Sequence, residues 1–470
     1  MSLSFFLLLK LHKGKVSVGK EAGCEKKLVN SRDIFIMKEM NTADLYKLFC
    51  EHPVITTDTR ECPKGAIFFA LKGETFDGNK FATMALEKGC AFAVVDDEKV
   101  VGNDDRMILV DDVLTTMQQL ASYHRHQLGT PILEVTGTNG KTTTKELTSA
   151  VLAEKYRVLY TLGNLNNHIG VPKTLLRLTE KDEIAVIETG ANHPGEIKAL
   201  ANIVDPDCGL ITNVGKAHLE GFGSFEGVIH TKGELYDYLR SKAGGYIFLN
   251  GDNGYLLNIA KDLKAYTYGR PGQGYDVEGE VLNCNPFLHF RWRVKDGVWQ
   301  EVQTQLIGAY NIDNALAAAA IGVHFGVTPE QVTHAIAAYV PTNNRSELKR
   351  TAKNTLVVDA YNANPTSMKA ALENFRLIEH PHKMAILGGM RELGAASVEE
   401  HQKIIDLLNQ LNLESVWLVG EEFKPFAHQY RYFENVEAVK EALAADPVEN
   451  HMILIKGSNS QKLFQLPDVL

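Results

Sequence analysis

No two cysteines in this 470-residue chain form a C-x-x-C pair; Cys24, Cys50, Cys62, Cys90, Cys208 and Cys284 are scattered without disulfide-like spacing. That excludes a disulfide-stapled scaffold and points to free thiols in a reducing, cytoplasmic setting. A block of basic residues is also missing, and the net charge is -9. An electrostatic platform for nucleic acid or for stable membrane association is therefore excluded, and any phosphorylated substrate must be held by local loops. Long hydrophobic runs are absent too. The run from Phe5 to Leu9 stops at Lys10, has no basic region before it and no small-residue cleavage site after it. It falls far short of the roughly 20 residues that span a bilayer. Residues 1–37 read as an upstream, disordered extension, with a short signal peptide as the alternative, because "MKEMNTADLYKLF" from Met37 has the character of a domain start. No fixed-period repeat or low-complexity tract occurs.

What is present is the composition of a globular enzyme, 44% hydrophobic and 23% charged, long enough for about three domains. The first block, 38–113, holds short apolar strands around "AIFFAL", "AFAVVDD" and "RMILVDD", with a helical stretch "FATMALEKG" between them. The second block, 114–341, begins with an amphipathic helix over Val113–Leu128 and continues through the strands "ILEVTG", "IAVIETG", "CGLITNVG" and "GYIFLN". Apolar runs of this length alternating with helices predict a parallel sheet covered on both faces. Alternating residues in "FLHFRWRV" and "VWQEVQTQL" predict antiparallel hairpins before an Ala-rich helix and the Pro/Asn linker "YVPTNNRSE". The third block, 342–470, repeats the α/β rhythm and contains a helix over Ser397–Leu411 with Ile404, Ile405, Leu408 and Leu411 on one face. The predicted fold class is α/β, in three domains: a small α/β domain, a central parallel-sheet phosphate-loop domain and a C-terminal Rossmann-like domain.

Chemistry concentrates around "EVTGTNGKTTTKE", Glu134 to Glu146. Gly140-Lys141-Thr142 ends a phosphate-binding loop, yet Val135 stands where the usual G-x-x-x-x-G-K-[S/T] pattern has its first glycine. The glycine is instead Gly137, so the loop is two residues shorter. It sits after a strand and before a helix, where backbone N–H groups face an anion, Lys141 adds charge and Thr142 offers a hydroxyl to Mg²⁺. Taken alone, the three letters fit an ordinary strand-to-helix turn equally well. Two later strands of the block bring further groups to the same sheet edge: Glu188 ends one, and the segment after Asn213 carries His218 and then Lys232. A carboxylate suits Mg²⁺, whereas a histidine is an unusual ligand for a hard cation.

Together "TGTNGKTTT", "NLNNHIGVP", "ETGANHPGEI", "NVGKAHLEGFGS" and "GAYNIDNALAAAAIG" resemble the ATP-dependent Mur ligases, which build the peptide stem of bacterial cell-wall precursors. T-G-T-N-G-K-T is that family's own short phosphate loop. The resemblance runs from about Thr56 to Lys456. The first block is similar to the uridine-nucleotide domain shared by the last two stem-building ligases. "DAYNANPTSMKAALE", "AILGGMRELGAASVEEHQ" and "LIKGS" resemble the D-alanyl-D-alanine-adding branch. The D-N-P-R motif of diaminopimelate-adding ligases is missing, and folylpolyglutamate synthases lack this first domain.

The resemblance implies ADP-forming amide-bond synthesis through an acyl phosphate, by a cytoplasmic monomer acting on UDP-N-acetylmuramoyl-tripeptide and D-alanyl-D-alanine. It implies ATP and two Mg²⁺ ions as cofactors. Gly137, Thr138, Asn139, Gly140, Lys141, Thr142 and Thr143 would hold phosphates, with Asn311 and Asn314 near the adenine. Arg345, Asp359 and Tyr361 would approach the nucleotide from the linker and third domain. Thr142 and Glu188 would serve one metal; His218 and a CO₂-derived carbamate on Lys232 would serve the other. Thr59, Arg60 and Asn79 would hold the uridine end, and Asn166, Asn167, Asn362 and Asn364 the remaining substrate groups. The chain departs from the family pattern at Thr59, Asn79, Tyr310, Gly389 and Asn459, the last two on the acceptor side. A ligase that adds the third residue or another single amino acid, and a non-catalytic nucleotide-binding scaffold, are the alternatives. The identity of the third stem residue and the domain orientation stay open at this level.

Overall fold

The structure, a computed structural model, describes residues 40–342, 344–411 and 413–470. The expected extension over residues 1–37 lies outside these, as does Cys24. Three sheets follow one another along the chain, as the α/β rhythm predicts.

The first sheet has four parallel strands in sequential order: Ile55–Thr56, Ile67–Phe69, Phe92–Val95 and Met107–Leu109. Side chains of a strand alternate between faces. Phe68 and Ala93 accordingly pack on Ala82, Ala85 and Leu86 of the short helix Ala82–Glu87. Ile67, Phe69 and Val94 pack on the other face against the helices Thr42–Glu51 and Val113–Leu128. The second of these helices spans the residues its periodicity predicts, because its ends are specified locally. The Asp112 carboxylate accepts from the N–H of Thr115, and Gly129 closes the helix in the left-handed conformation. Its buried Met117 and Leu120 share one core with Val171 of the helix Gly170–Leu175 and with Ala185 and Ile187 of the next sheet, which ties the two sheets together.

The central sheet has nine strands, in the spatial order 300–307, 287–294, 277–284, 265–269, 246–250, 208–211, 132–136, 184–188 and 158–160. The predicted hairpins are the first three strands of that order. They extend the parallel sheet instead of forming a separate layer. The strand Ile132–Thr136 lies between Ile184–Glu188 on one side and Cys208–Ile211 on the other. The chain order reverses there, and crevices at the carboxyl ends of strands at such a reversal are where open α/β sheets bind ligands. The Ala-rich helix Asn311–His324 is buried against the sheet and the helix Lys141–Ala153.

The third sheet has the order 347–350, 355–359, 452–456, 383–388, 415–419, 431–433, all parallel except the first. The helix Ser397–Leu411 covers one face and buries Ile404, Ile405, Leu408 and Leu411, the stripe seen in its sequence. Among the described residues no helix is long and apolar enough to cross a membrane, and Cys50, Cys62, Cys90, Cys208 and Cys284 are free thiols.

Candidate active site

The short loop between Thr136 and Lys141 is shaped by two glycines with positive φ, +139° at Gly137 and +78° at Gly140, a region L side chains rarely enter. Space excludes a side chain as well. A Cβ on Gly137 would strike the Thr212 hydroxyl, and one on Gly140 would stand 2.5 Å from Asn314 Oδ1. The neighbouring strand end holds the loop from outside. Asn213 Oδ1 accepts from the N–H of Asn139 at 3.0 Å, and Asn213 Nδ2 and Thr212 Oγ1 both donate to the Asn139 carbonyl. Thr138 N–H donates to the Asn213 carbonyl at 2.9 Å. Thr144 Oγ1 donates to Asn314 Oδ1, and Asn314 in turn donates to Asn311, so the helix after the loop is cross-linked to the Ala-rich helix.

The Lys141 ammonium donates to the carbonyls of Gly137 and Thr138 at 2.8 and 3.0 Å. Burial, with Arg345 nearby, lowers it to about 8 from its ordinary 10.5, against the opposing pull of Glu188. Glu188 is fully buried. Its Oε1 accepts from Thr142 Oγ1 at 3.2 Å and from Asn166 Nδ2 at 2.7 Å, while Oε2 is buried with no hydrogen-bond partner. An uncompensated buried carboxylate oxygen is costly, and an oxygen-seeking dication beside the Thr142 hydroxyl would relieve it. The residues present therefore fit Mg²⁺.

Lys232 reaches the same neighbourhood from the helix Phe225–Ser241. It is 2% exposed, its amine donates to the Ala191 carbonyl at 3.3 Å, and it lies 5.2 Å from the Phe222 ring centre. Burial first, and Lys141 second, bring it down to about 7. His218 packs edge-on against the same Phe222 ring, in the left-handed conformation at φ +50°. Its Nδ1 meets the Glu392 carboxylate of the third block, which lies below its ordinary range because of that contact.

The third block closes against the loop. Asn364 Nδ2 donates to Asn139 Oδ1 at 2.7 Å, and Lys216 pairs with Glu400 at 2.9 Å. Arg345 stacks 3.8 Å from the Tyr361 ring centre, with its buried Nε unpartnered. Asp359 is paired with the buried Lys456 at 2.5 Å. A cleft of about 870 Å³ results, and Thr138, Asn139, Gly140, Lys141, Thr143, Asn166, Asn167, Glu188, His218, Asn311, Asn314, Arg345, Asp359, Tyr361, Asn362 and Asn364 all line it.

Gly137, Thr142 and Lys232 are buried and are not among the cleft residues. Thr59 and Arg60 lie in the turn between the first two strands of the first sheet, Asn79 in the short 3-10 helix Gly78–Phe81, and none of them is among the cleft residues. Arg60 is exposed and paired with Asp58, and the Thr59 carbonyl accepts from Lys88. Asn79 is 2% exposed, with its amide spent on Asp77 and Asp96. That side chain braces its own loop. Tyr310, a departure from the family pattern, lines the cleft and bonds Ser346 at 2.8 Å.

Sequence reasoning passed over Lys456 and Glu392. The signal for Lys456 was available: like Glu188, it is a charge ending an apolar parallel strand at the ligand edge. Glu392 offered none, since its partner is 174 residues away in the chain.

Comparison with known proteins agrees with this arrangement. Residues 53–125 match "Mur ligase family, catalytic domain", 135–322 "Mur ligase middle domain" and 344–459 "Mur ligase, glutamate ligase domain". The UDP-N-acetylmuramoyl-tripeptide–D-alanyl-D-alanine ligase of Bacillus subtilis is 36% identical over 429 residues, covering 88% of this chain and 92% of that protein. Its Escherichia coli counterpart is 36% identical over 374 residues, 78% of this chain and 81% of that one. Among solved structures, MurF of Acinetobacter baumannii superimposes with TM-score 0.79 at 30% identity, covering 88% of this chain and 92% of that one. MurF ligase of Thermotoga maritima in complex with ADP gives 0.78 at 26% identity, with 88% and 96% covered. With three family segments in order and relatives matched over nearly their whole length, the chain belongs to the Mur ligase family.

Proposed function

We propose that the protein joins D-alanyl-D-alanine to UDP-N-acetylmuramoyl-tripeptide, with ATP converted to ADP and phosphate. The observation that carries this reading is the single cleft in which the phosphate loop, Glu188, His218 and the third-block residues Arg345, Asp359 and Asn364 meet. The names of the relatives supply the substrates.

A carboxylate oxygen is a poor leaving group, so the tripeptide carboxylate must be activated before an amine can displace it. Its oxygen attacks the γ-phosphorus of ATP and ADP departs, leaving an acyl phosphate. The amine of the dipeptide then attacks the carbonyl carbon, loses a proton and expels phosphate, and the amide remains. Catalysis of phosphoryl transfer is mostly positioning and charge neutralisation. Lys141 and the N–H groups at the start of Lys141–Ala153 would hold the β- and γ-phosphates. Arg345, stacked on Tyr361 with its Nε unpartnered, would approach the nucleotide from the third block. Asn311 and Asn314 brace the loop and form the wall assigned to the adenine.

Thr142 and Glu188 would hold one Mg²⁺; His218 and a carbamate on Lys232 would hold a second, the pair supplying charge stabilisation at the transferring phosphoryl group. A buried lysine lowered to about 7 keeps much of its amine neutral, the form that adds CO₂. This supports Lys232 as the carbamate carrier. Thr59 and Arg60 are proposed for the uridine diphosphate, Asn166 and Asn167 for the muramoyl peptide, and Asn362 for the acceptor side. Asn79 acts by bracing its own loop through Asp77 and Asp96.

Phosphate release measured across substrates tests the reading. Release is expected to require ATP, the tripeptide precursor and D-alanyl-D-alanine together, with free D-alanine supporting little. Faster release with L-lysine or diaminopimelate on the dipeptide-length precursor would assign the chain to the preceding step of the stem.

A further inference from the structure

Three strands of the third sheet begin side by side at the end away from the cleft. Met452–Lys456 pairs with Lys383–Gly388, which pairs with Ser415–Val419, all parallel, with Lys383 opposite Met452 and Met384 opposite Ser415. The residue just before each strand is His451, His382 and Glu414. Parallel register sets His382 level with His451, and Glu414 one residue further along, level with Lys383, so two imidazoles and a carboxylate meet where adjacent strands begin. Their ligating atoms, one from each residue, lie within 4.8 Å of one another. His382 Nδ1 is 2.9 Å from Glu414 Oε2, and His451 Nε2 is 3.8 Å from the same oxygen.

Two features distinguish this row from a chance surface cluster. The backbone beneath it is fixed by ladder bonds: Glu414 N–H donates to the Lys383 carbonyl at 3.0 Å and Met452 N–H to the His382 carbonyl at 2.9 Å. His451 N–H is also held by Asn354 Oδ1 at 3.0 Å. Then the His451 ring is oriented from behind. Its Nδ1 lies 2.6 Å from the Glu449 carbonyl, a partner that only an N–H can satisfy, so in the neutral ring Nε2 is the nitrogen left to bind a metal beside Glu414. A backbone carbonyl behind the imidazole is the usual support of a metal-ligating histidine.

We propose that His382, Glu414 and His451 form a binding site for a divalent transition-metal ion, with Zn²⁺ the best match. Two imidazoles and one carboxylate suit zinc and disfavour Mg²⁺, which prefers an all-oxygen shell. Ligands at about 2.0–2.1 Å from a tetrahedral ion stand roughly 3.3 Å apart, so small side-chain rotations close the row around a metal. His382 and Glu414 are exposed, leaving room for water at the remaining position. The site is separate from the reaction. His451 and the cleft residue Lys456 stand at opposite ends of one strand, about 16 Å apart at 3.3 Å per residue. The bound ion would clamp the starts of three strands.

The test uses the full chain, stripped of metal with a chelator and titrated with Zn²⁺ by calorimetry in millimolar Mg²⁺. One Zn²⁺ per chain is expected to bind with micromolar or tighter affinity. His382→Ala, His451→Ala and Glu414→Gln are each expected to weaken it at least tenfold, and His218→Ala in the cleft to leave it unchanged. The three strand variants are expected to keep their ligase activity in zinc-free buffer, which shows that they fold. Zn²⁺ affinity unchanged in those variants, binding lost in His218→Ala instead, or binding no tighter than millimolar would each overturn the site.

Discussion

Replacing Lys232 with methionine separates a structural lysine from a reactive one. The native amine is buried, makes one hydrogen bond of 3.3 Å, and is lowered from 10.5 to about 7, burial being the larger cause and Lys141 the second. A fall of about 3.5 at 1.36 kcal/mol each corresponds to roughly 5 kcal/mol against holding the proton in the folded state. Because the folded value lies below the unfolded one, the unfolded chain binds more protons between pH 7 and 10.5. The penalty is full below pH 7 and fades as pH rises towards 10.5. Methionine fills a similar volume without that penalty. In bicarbonate-free buffer, Lys232→Met is therefore expected to melt above the wild type at pH 7, by the equivalent of a few kcal/mol, with the gap shrinking by pH 9. Phosphate release in complete assay mixtures is expected to fall at least 100-fold. Lys232→Arg is expected to be inactive as well, since a guanidinium cannot carry a carbamate, while formate or acetate partly restores Lys232→Ala. A methionine variant less stable than wild type at both pH values, or one that turns over normally, would refute the reasoning.

Glu188→Gln and His218→Ala are each expected to lower turnover by about 100-fold or more at moderate Mg²⁺ while the melting temperature stays within a few degrees, because neither removes core volume. Near-normal turnover in either one would sink the metal assignment. Gly140→Ala must hold φ near +78° and press a methyl group against Asn314. It is expected to cost about 1–3 kcal/mol of stability and to weaken ATP binding measured by equilibrium titration; unchanged ATP affinity would show that the loop tolerates a side chain.

Residues whose conformation answers to near neighbours were legible in the chain. Val113–Leu128 carries its own caps, Ser397–Leu411 its own apolar stripe, and Gly137 and Gly140 mark the turn between a strand and a helix. Glu188 could be singled out because a charge ending an apolar strand has few places to go in an α/β sheet. Tertiary structure decided the rest, because it depends on groups far apart in sequence. Asn364 meets Asn139 across 225 residues, Glu392 meets His218 across 174, and Lys456 meets Asp359 across 97. Asn79, read as a ligand contact, is held by Asp77 and Asp96. The amine of Lys232 comes down to about 7 only because the folded chain surrounds it and places Lys141 nearby. His382, Glu414 and His451 form a row only once three parallel strands take their register. Periodicity and caps are short-range and written in order along the chain; desolvation, charge and register arise between segments, so they exist only after the sheets have assembled.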